Sequence, residues 1–339
     1  MNRTMKVSLV MPAYNIATEL QRSIESVLNQ TYTNIELIIV DDGSTDSTPE
    51  IIEQYAALNT NVIPIHRENG GVFSARIEGV QKSTGDYIGF VDGDDFIEPE
   101  MIDRLLENAI AYNADISHCG YQMIFPNGRI DRYYGTGKCV VQDNTKGVID
   151  LLEGKYVEPG VWNKLYRKEL FYSIESIYLD YSIKINEDLL LNYYLFKESK
   201  CSVYEDQCYY HYLLRPNSAT TSNINENKLS DPLKVLRIML DENEPDGAYH
   251  DLLLARLTRQ LVSVATMSCK TNPRLIRPHR KAAQRELRKR FLSIMKCGNC
   301  SVKVKAMAVW AAVMPIAYQA IHSLYAKCTG LDKKYSTDK

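Results

Sequence analysis

Short β-branched runs alternate with segments of helical apolar spacing over the first third of the chain, and this alternation restricts the fold more than any other feature. Val7 to Met11 is an apolar run stopped by Pro12, as suits a buried parallel strand. Glu19 to Asn29 then carries Leu20, Ile24, Val27 and Leu28 on one helical face. Ile35 to Val40 is a second strand, ending at Asp41-Asp42-Gly43-Ser44. Ser47 with Glu50 three residues on predicts a capping box for a helix bearing Ile51, Ile52 and Tyr55. Val62–Ile65, a helix over Val72–Lys82, and Tyr87–Val91 continue the pattern up to Asp92-Gly93-Asp94-Asp95. A helix over Glu98–Asn113 follows, with Met101, Ile102, Leu105, Leu106 and Ala109 on one face. Such alternation predicts an α/β fold with a mostly parallel central sheet and helices on both faces.

Two acidic clusters therefore stand just past the carboxyl ends of strands, the edge at which open α/β sheets bind ligands. Pro12-Ala13-Tyr14-Asn15 follows the first strand, where a dinucleotide fold would carry GxGxxG, and no GxxxxGK[ST] loop occurs. Hydride transfer and P-loop chemistry lose their main support. Asp92 and Asp94, separated by a glycine, can converge on one hard cation whose open positions take phosphate oxygens; the plainer alternative is an Asp/Gly turn. Asp41 and Asp42 can accept hydrogen bonds from a nucleobase or ribose, or simply serve the entry to the next helix. Arg76, after Asn69-Gly70-Gly71, can reach a phosphate or base edge, or be an ordinary helical arginine.

These residues resemble a known family. Ser8–Asn15, Ser26–Tyr32, Glu36–Ser44 with Asp46, Asn69-Gly70-Gly71, Ala75-Arg76, Thr84–Tyr87 and Asp92–Asp95 match, in order, the opening blocks of glycosyltransferase family 2, densely over residues 5–123. Gly160-Val161-Trp162-Asn163-Lys164-Leu165-Tyr166, Asn186–Leu190 and Tyr209–Tyr212 with Arg215 and Ser218 are similar, more thinly, to the acceptor-side blocks of bacterial polysaccharide-type members. The resemblance implies a GT-A fold, with residues 1–123 as the nucleotide-sugar half and 124–225 as the acceptor half. It implies an inverting transferase using a nucleoside-diphosphate sugar, UDP being commonest, and Mn2+ or Mg2+. It places Pro12, Tyr14, Asp42 and Arg76 on the nucleoside, Asp92 on the ribose and metal, Asp94 or Asp95 on the metal with Asp94 preferred, and the general base at Asp188. Arg215 and Ser218 would hold the diphosphate, with a surface loop as the alternative. Glu187-Asp188 also reads as a helix N-terminus, where acidic residues favour the dipole.

At 339 residues the chain can form one large or two domains, and 45% apolar with 24% charged residues describes a globular protein. Asn2-Arg3-Thr4 runs straight into a strand without a signal-like segment, so a cytoplasmic location is expected. The eight cysteines are irregularly spaced and read as reduced thiols. Cys297-Gly298-Asn299-Cys300 would need a second pair to hold zinc, and only Cys208 with His211 offers one. Tyr156, Tyr166 and Tyr181 can line an acceptor groove or be half-buried core positions.

Residues 226–339 are expected to be helical. Asp241 to Gly247 reads as a linker, and Leu252 to Met267 as a buried helix. Residues 274–305 hold eleven Lys/Arg against Glu286 alone, and Ala306 to Ala326 is mostly apolar but broken by Pro315, Gln319 and His322. A basic helix followed by an apolar one predicts in-plane contact with an anionic membrane surface, as lipid-linked glycan acceptors would require; a solvated basic face with a core helix is the alternative. Nucleic acid is not expected, since no binding motif accompanies the charge. Two rivals to the transferase follow from the same residues. A nucleotidyltransferase would carry a glycine-rich basic loop after the first strand. A non-catalytic nucleotide-sugar scaffold would have no need of Asp92, Asp94 and Asp188 together.

Overall fold

The computed structural model describes residues 4–174, 180, 182–215, 221, 223–269 and 272–314. Tyr181, Ser218 and the stretch 315–326 lie outside them. The strands are β1 (Val7–Ala13), β2 (Ile35–Asp41), β3 (Val62–His66), β4 (Tyr87–Phe90), β5 (Phe96–Ile97), β6 (Ile116–Ile124), β7 (Ile130–Tyr133), β8 (Cys139–Gln142), β9 (Lys164–Arg167) and β10 (Ser202–Leu213). The helices of the first part are α1 (Ala17–Leu28), α2 (Thr48–Leu58), α3 (Val72–Lys82), α4 (Met101–Ala111), α5 (Asn144–Glu153), α6 (Glu169–Ile174) and α7 (Glu187–Glu198). Those of the second are α8 (Glu226–Asp241), α9 (His250–Ala265), α10 (Pro273–Lys289), α11 (Phe291–Lys296) and α12 (Val302–Val313).

All strands join one sheet in the order β3-β2-β1-β4-β9-β6-β10-β5, with β7 on β6 and β8 on β10. The part built from strand–helix alternation, β3-β2-β1-β4, is parallel throughout. Beyond β4 the sheet is mixed, because β9 runs antiparallel to both β4 and β6. Period-two alternation supplies both faces. Leu9, Met11, Leu37 and Ile39 join one core with Leu20, Ile24, Val27, Leu105 and Leu106 of α1 and α4. Val10 points the other way, against Gly79 of α3, where any Cβ would collide with the valine methyls and force the helix off the sheet.

Three local expectations are corrected. Strand β1 passes through Pro12 to Ala13, in register with Val40 and Asp41. Its pairing with β4 ends at Val10, so only one neighbouring strand faces the proline, which has no N–H to donate. No capping box forms at Ser47, whose side chain makes no cap bond; Asp46 Oδ1 instead accepts from the Thr48 N–H at 3.0 Å. The helix expected from Glu98 begins at Met101, because the Glu98 N–H pairs with the Tyr209 carbonyl (2.8 Å) and Gln30 Oε1 accepts from Ile102 N–H (3.0 Å).

The chain divides into two compact units, residues 1–220 and 221–339. In the second, α9 buries Leu253, Leu254, Leu257, Leu261 and Val262 among the other helices. The acidic stretch from Asp241 is the turn between α8 and α9 inside this unit, so it does not link domains. No helix of the described residues is long and apolar enough to cross a membrane. Cys297 and Cys300 are buried free thiols of the second unit. His211 of the first has both ring nitrogens engaged, by Gln122 (2.7 Å) and Glu98 (2.6 Å). The zinc alternative has no support among the described residues.

Candidate active site

The site is assembled at the carboxyl ends of β1, β2 and β4, with α3, the start of α7 and the end of β10 closing around it. Arg76 is its organising residue. The Asp42 carboxylate accepts from the N–H groups of Gly70 (2.9 Å) and Gly71 (2.7 Å), fixing the loop from which α3 departs. One turn into α3, Arg76 is buried. Its Nη2 donates to Asp92 Oδ1 at 2.7 Å and its Nη1 to Asp188 Oδ1 at 2.5 Å, with Glu187 Oε1 at 3.5 Å. Burial would weaken its proton affinity, but Asp188, Asp92 and Glu187 outweigh it and hold the guanidinium charged. Two carboxylate stations distant in sequence, Asp92 and Asp188, thus meet on one cation.

The turn after β4 separates its three aspartates. Asp95 is fully buried and accepts from the Tyr210 hydroxyl (2.7 Å) and the Leu213 N–H (2.8 Å), so it binds the turn to β10. Burial and the neighbouring Asp94 push its carboxyl well above the usual range. Asp94 instead faces Arg215, whose Nε donates to Oδ2 at 2.8 Å, with Nη2 on the same oxygen. Burial and Asp92 raise the Asp94 carboxyl while Arg215 pulls it back. Gly93 lets the turn approach β1, since a Cβ there would meet Ile16 and the Pro12 carbonyl. Pro12 lies in β1 beside this turn, and Tyr14 stands 50% exposed on the loop beyond.

The family's divalent cation can be tested on these residues. With Asp95 turned inward, Asp92 and Asp94 are the carboxylates left at the edge, and burial together with the Asp92 charge disfavours ionisation of Asp94 despite Arg215. No three His, Cys, Asp or Glu side chains form a metal cage among the described residues. A pair of carboxylates still suits Mg2+ or Mn2+, which take one or two protein carboxylates and fill the rest of their sphere with water and phosphate oxygens. The residues fit the cation, which Asp94 and Asp92 would hold.

Asp188 opens α7 beside Glu187. Burial raises the Asp188 carboxyl, Arg76 lowers it, Asp92 raises it again, and the net direction is up. Burial and Asp188 push Glu187 up to about 8. A carboxyl that titrates higher in the folded than in the unfolded chain costs no stability below its unfolded pKa and an increasing amount as pH rises to the folded one. Glu187→Gln is therefore expected to leave Tm unchanged near pH 4 and to raise it at pH 8, as thermal melts at the two pH values would show.

Sequence reasoning missed the support beneath Asp188. Lys164 is buried at the start of β9, and its ammonium donates to the carbonyls of Glu158 (2.8 Å) and Gly160 (2.6 Å) and to Asn163 Oδ1 (2.6 Å). Asn192, one turn along α7 from Asp188, donates to the Pro159 carbonyl at 2.6 Å and accepts from the Tyr166 hydroxyl at 2.7 Å. Three successive carbonyls are thus tied down, and the loop offers its Val161 N–H to Asp188. Trp162 from the same loop stacks on Tyr210 (4.4 Å between centroids), which bonds Asp95. The Gly160–Tyr166 motif was visible, but nothing in the sequence shows that its lysine is buried. Tyr166 is core and does not line a groove; Tyr156 is half-buried with φ at 62°.

Fold and sequence together resemble those of glycosyltransferases. Residues 8–175 match the model of glycosyl transferase family 2, and this segment of the chain belongs to that family. It is 35% identical over 217 residues to glycosyltransferase EpsJ of Bacillus subtilis (63% of this chain, 62% of that protein). It is 31% identical over 224 residues to glycosyltransferase GlyA of Streptococcus pneumoniae (63% and 31%). The chain thus spans 62% of the length of the first relative and 31% of the second. The crystal structure of S. aureus TarS 1-349 in complex with UDP-GlcNAc aligns with a TM-score of 0.70 at 20% identity, over 95% of this chain and 92% of that one. This is a likeness of fold, and the fold is GT-A.

Proposed function

We propose that the protein is an inverting glycosyltransferase that moves a sugar from a nucleoside-diphosphate sugar, UDP-linked, to an acceptor hydroxyl. The observation that carries this reading is the Arg76 bridge, which puts a donor-side carboxylate and a candidate base on one guanidinium. The UDP-GlcNAc in the TarS crystal structure supports the donor class. Pro12, Tyr14 and Asp42 hold the nucleoside, with Arg76 beside them and Asp92 toward the ribose. Arg215, already paired with Asp94, counters charge on the diphosphate. A cation on Asp94 and Asp92 would supply Lewis-acid neutralisation of the departing diphosphate.

Asp188 takes the proton of the acceptor hydroxyl as its oxygen attacks the anomeric carbon opposite the leaving group, inverting that centre. The raised Asp188 carboxyl suits a base working near neutral pH, and the neutral form of Glu187 beside it leaves one negative charge rather than two. The acceptor is a glycan or lipid-linked glycan, in keeping with cell-surface or exopolysaccharide synthesis. Purified protein with Mn2+ and a panel of nucleotide sugars tests this. Chelator-sensitive release of nucleoside diphosphate from one UDP-sugar supports the reading. Failure to bind any nucleotide, with or without metal, would sink it.

A further inference from the structure

Helix α10 carries two opposed faces. At about 100° per residue, Arg274, Arg277, Lys281, Arg285, Arg288 and Lys289 fall within an arc of about 120°, and all six are exposed. Ile276, Ala283 and Leu287 are buried on the other side. Glu286, the one acid between residues 274 and 305, lies on the flank and is already engaged by Arg237 (2.6 Å) and Arg290 (2.9 Å). The cationic stripe is thus without acidic partners among the described residues.

Helix α12 has an outward stripe of the opposite character. Val302, Ala306, Trp310 and Val313 are exposed and fall within an arc of about 80°, while Ala308, Ala311 and Ala312 are buried. Val302 is 85%, Trp310 43% and Val313 68% exposed. The two stripes meet: Arg288, at the end of the basic one, donates from Nε (3.0 Å) and Nη2 (2.7 Å) to the carbonyl of Ala312, next to Val313. Phe291 and Leu292, 70% exposed in the case of the leucine, follow α10 directly.

We propose that this face of the second unit docks in the plane of an anionic lipid surface, with α10 on the headgroups and the α12 stripe at the headgroup–acyl boundary. A cationic face attracts anionic lipid and an apolar aromatic stripe gains by leaving water, the two forces that seat a protein in the membrane interface. A nucleic-acid backbone would satisfy the charge but leave Val302, Trp310 and Val313 in water. The proposal rests on the two stripes and is independent of the transferase reading.

The test is sedimentation of the full chain with phosphatidylglycerol/phosphatidylcholine vesicles and with phosphatidylcholine alone, at low and high salt. Binding to the anionic vesicles only, weakened by salt, is expected. Each basic residue near such a surface contributes about five-fold, so Arg277→Gln/Lys281→Gln/Arg285→Gln should lose roughly 100-fold. Of the two tryptophans Trp162 is buried, so a blue shift of emission on binding reports Trp310, and Trp310→Ser should abolish it. Unchanged far-UV circular dichroism and thermal melting show that the variants fold. Equal binding of wild type and triple variant, no vesicle binding, or tighter binding to duplex DNA than to vesicles would each overturn the proposal.

Discussion

Asp188→Asn is expected to lower kcat by about 10²–10⁴-fold, the contribution of a positioned general base, with little change in donor affinity. The amide has the shape of the carboxylate but cannot take a proton from the acceptor. Arg76 keeps Asp92 at 2.7 Å and Glu187 at 3.5 Å, so the donor side of the bridge survives the change. Rate measured under saturating donor, beside nucleotide affinity by calorimetry, separates the two effects. A fall of less than ten-fold would remove Asp188 from the reaction and leave it as a helix-terminal partner of Arg76. In the wild type the acid limb of kcat/KM should lie above the ordinary aspartate range. Burial raises the Asp188 carboxyl in the free protein, and protonation there removes the base.

The parallel half of the sheet was legible because its strands are unbroken β-branched runs and its helices periodic, and α3 follows its expected bounds of Val72 and Lys82. The antiparallel strand β9 was not read as a strand, because Lys164–Arg167 is four residues long and begins with a charge that only burial explains. The three aspartates after β4 were legible as a cluster but not as individuals. Asp95 departs from Asp92 and Asp94 because Tyr210 and Leu213, more than a hundred residues on, supply its donors. The same limit applied to Arg76, legible by sequence as a candidate for a phosphate or base edge but not as the partner of Asp188 across the fold. Long-range pairing had to come from the structure, and so did the local cap of α2, where Asp46 and not Ser47 accepts from Thr48.

The second large effect belongs to Arg76 itself. Arg76→Met is expected to destabilise the protein by about 3–5 kcal/mol, since breaking a buried pair leaves its partner uncompensated. Here three carboxylates are stranded: Asp92, Asp188 and Glu187. Without the guanidinium, Asp188 and Glu187 rise further above their unfolded pKa values. The added cost is then absent below the unfolded values, where both states are protonated, and grows as pH rises through the folded ones. Denaturant unfolding should therefore show a larger loss at pH 8 than at pH 4, the remainder at pH 4 being lost packing and hydrogen bonds. Removing both partners tests the origin of the effect. If uncompensated charge is the cause, Arg76→Met/Asp188→Leu should be more stable at pH 8 than Arg76→Met alone, because one stranded carboxylate is gone and apolar replacement of a buried pair is often nearly neutral. If the double variant merely adds the two losses, Arg76 stabilises the fold through packing of its stem and the bridge between donor carboxylate and base carries little energy.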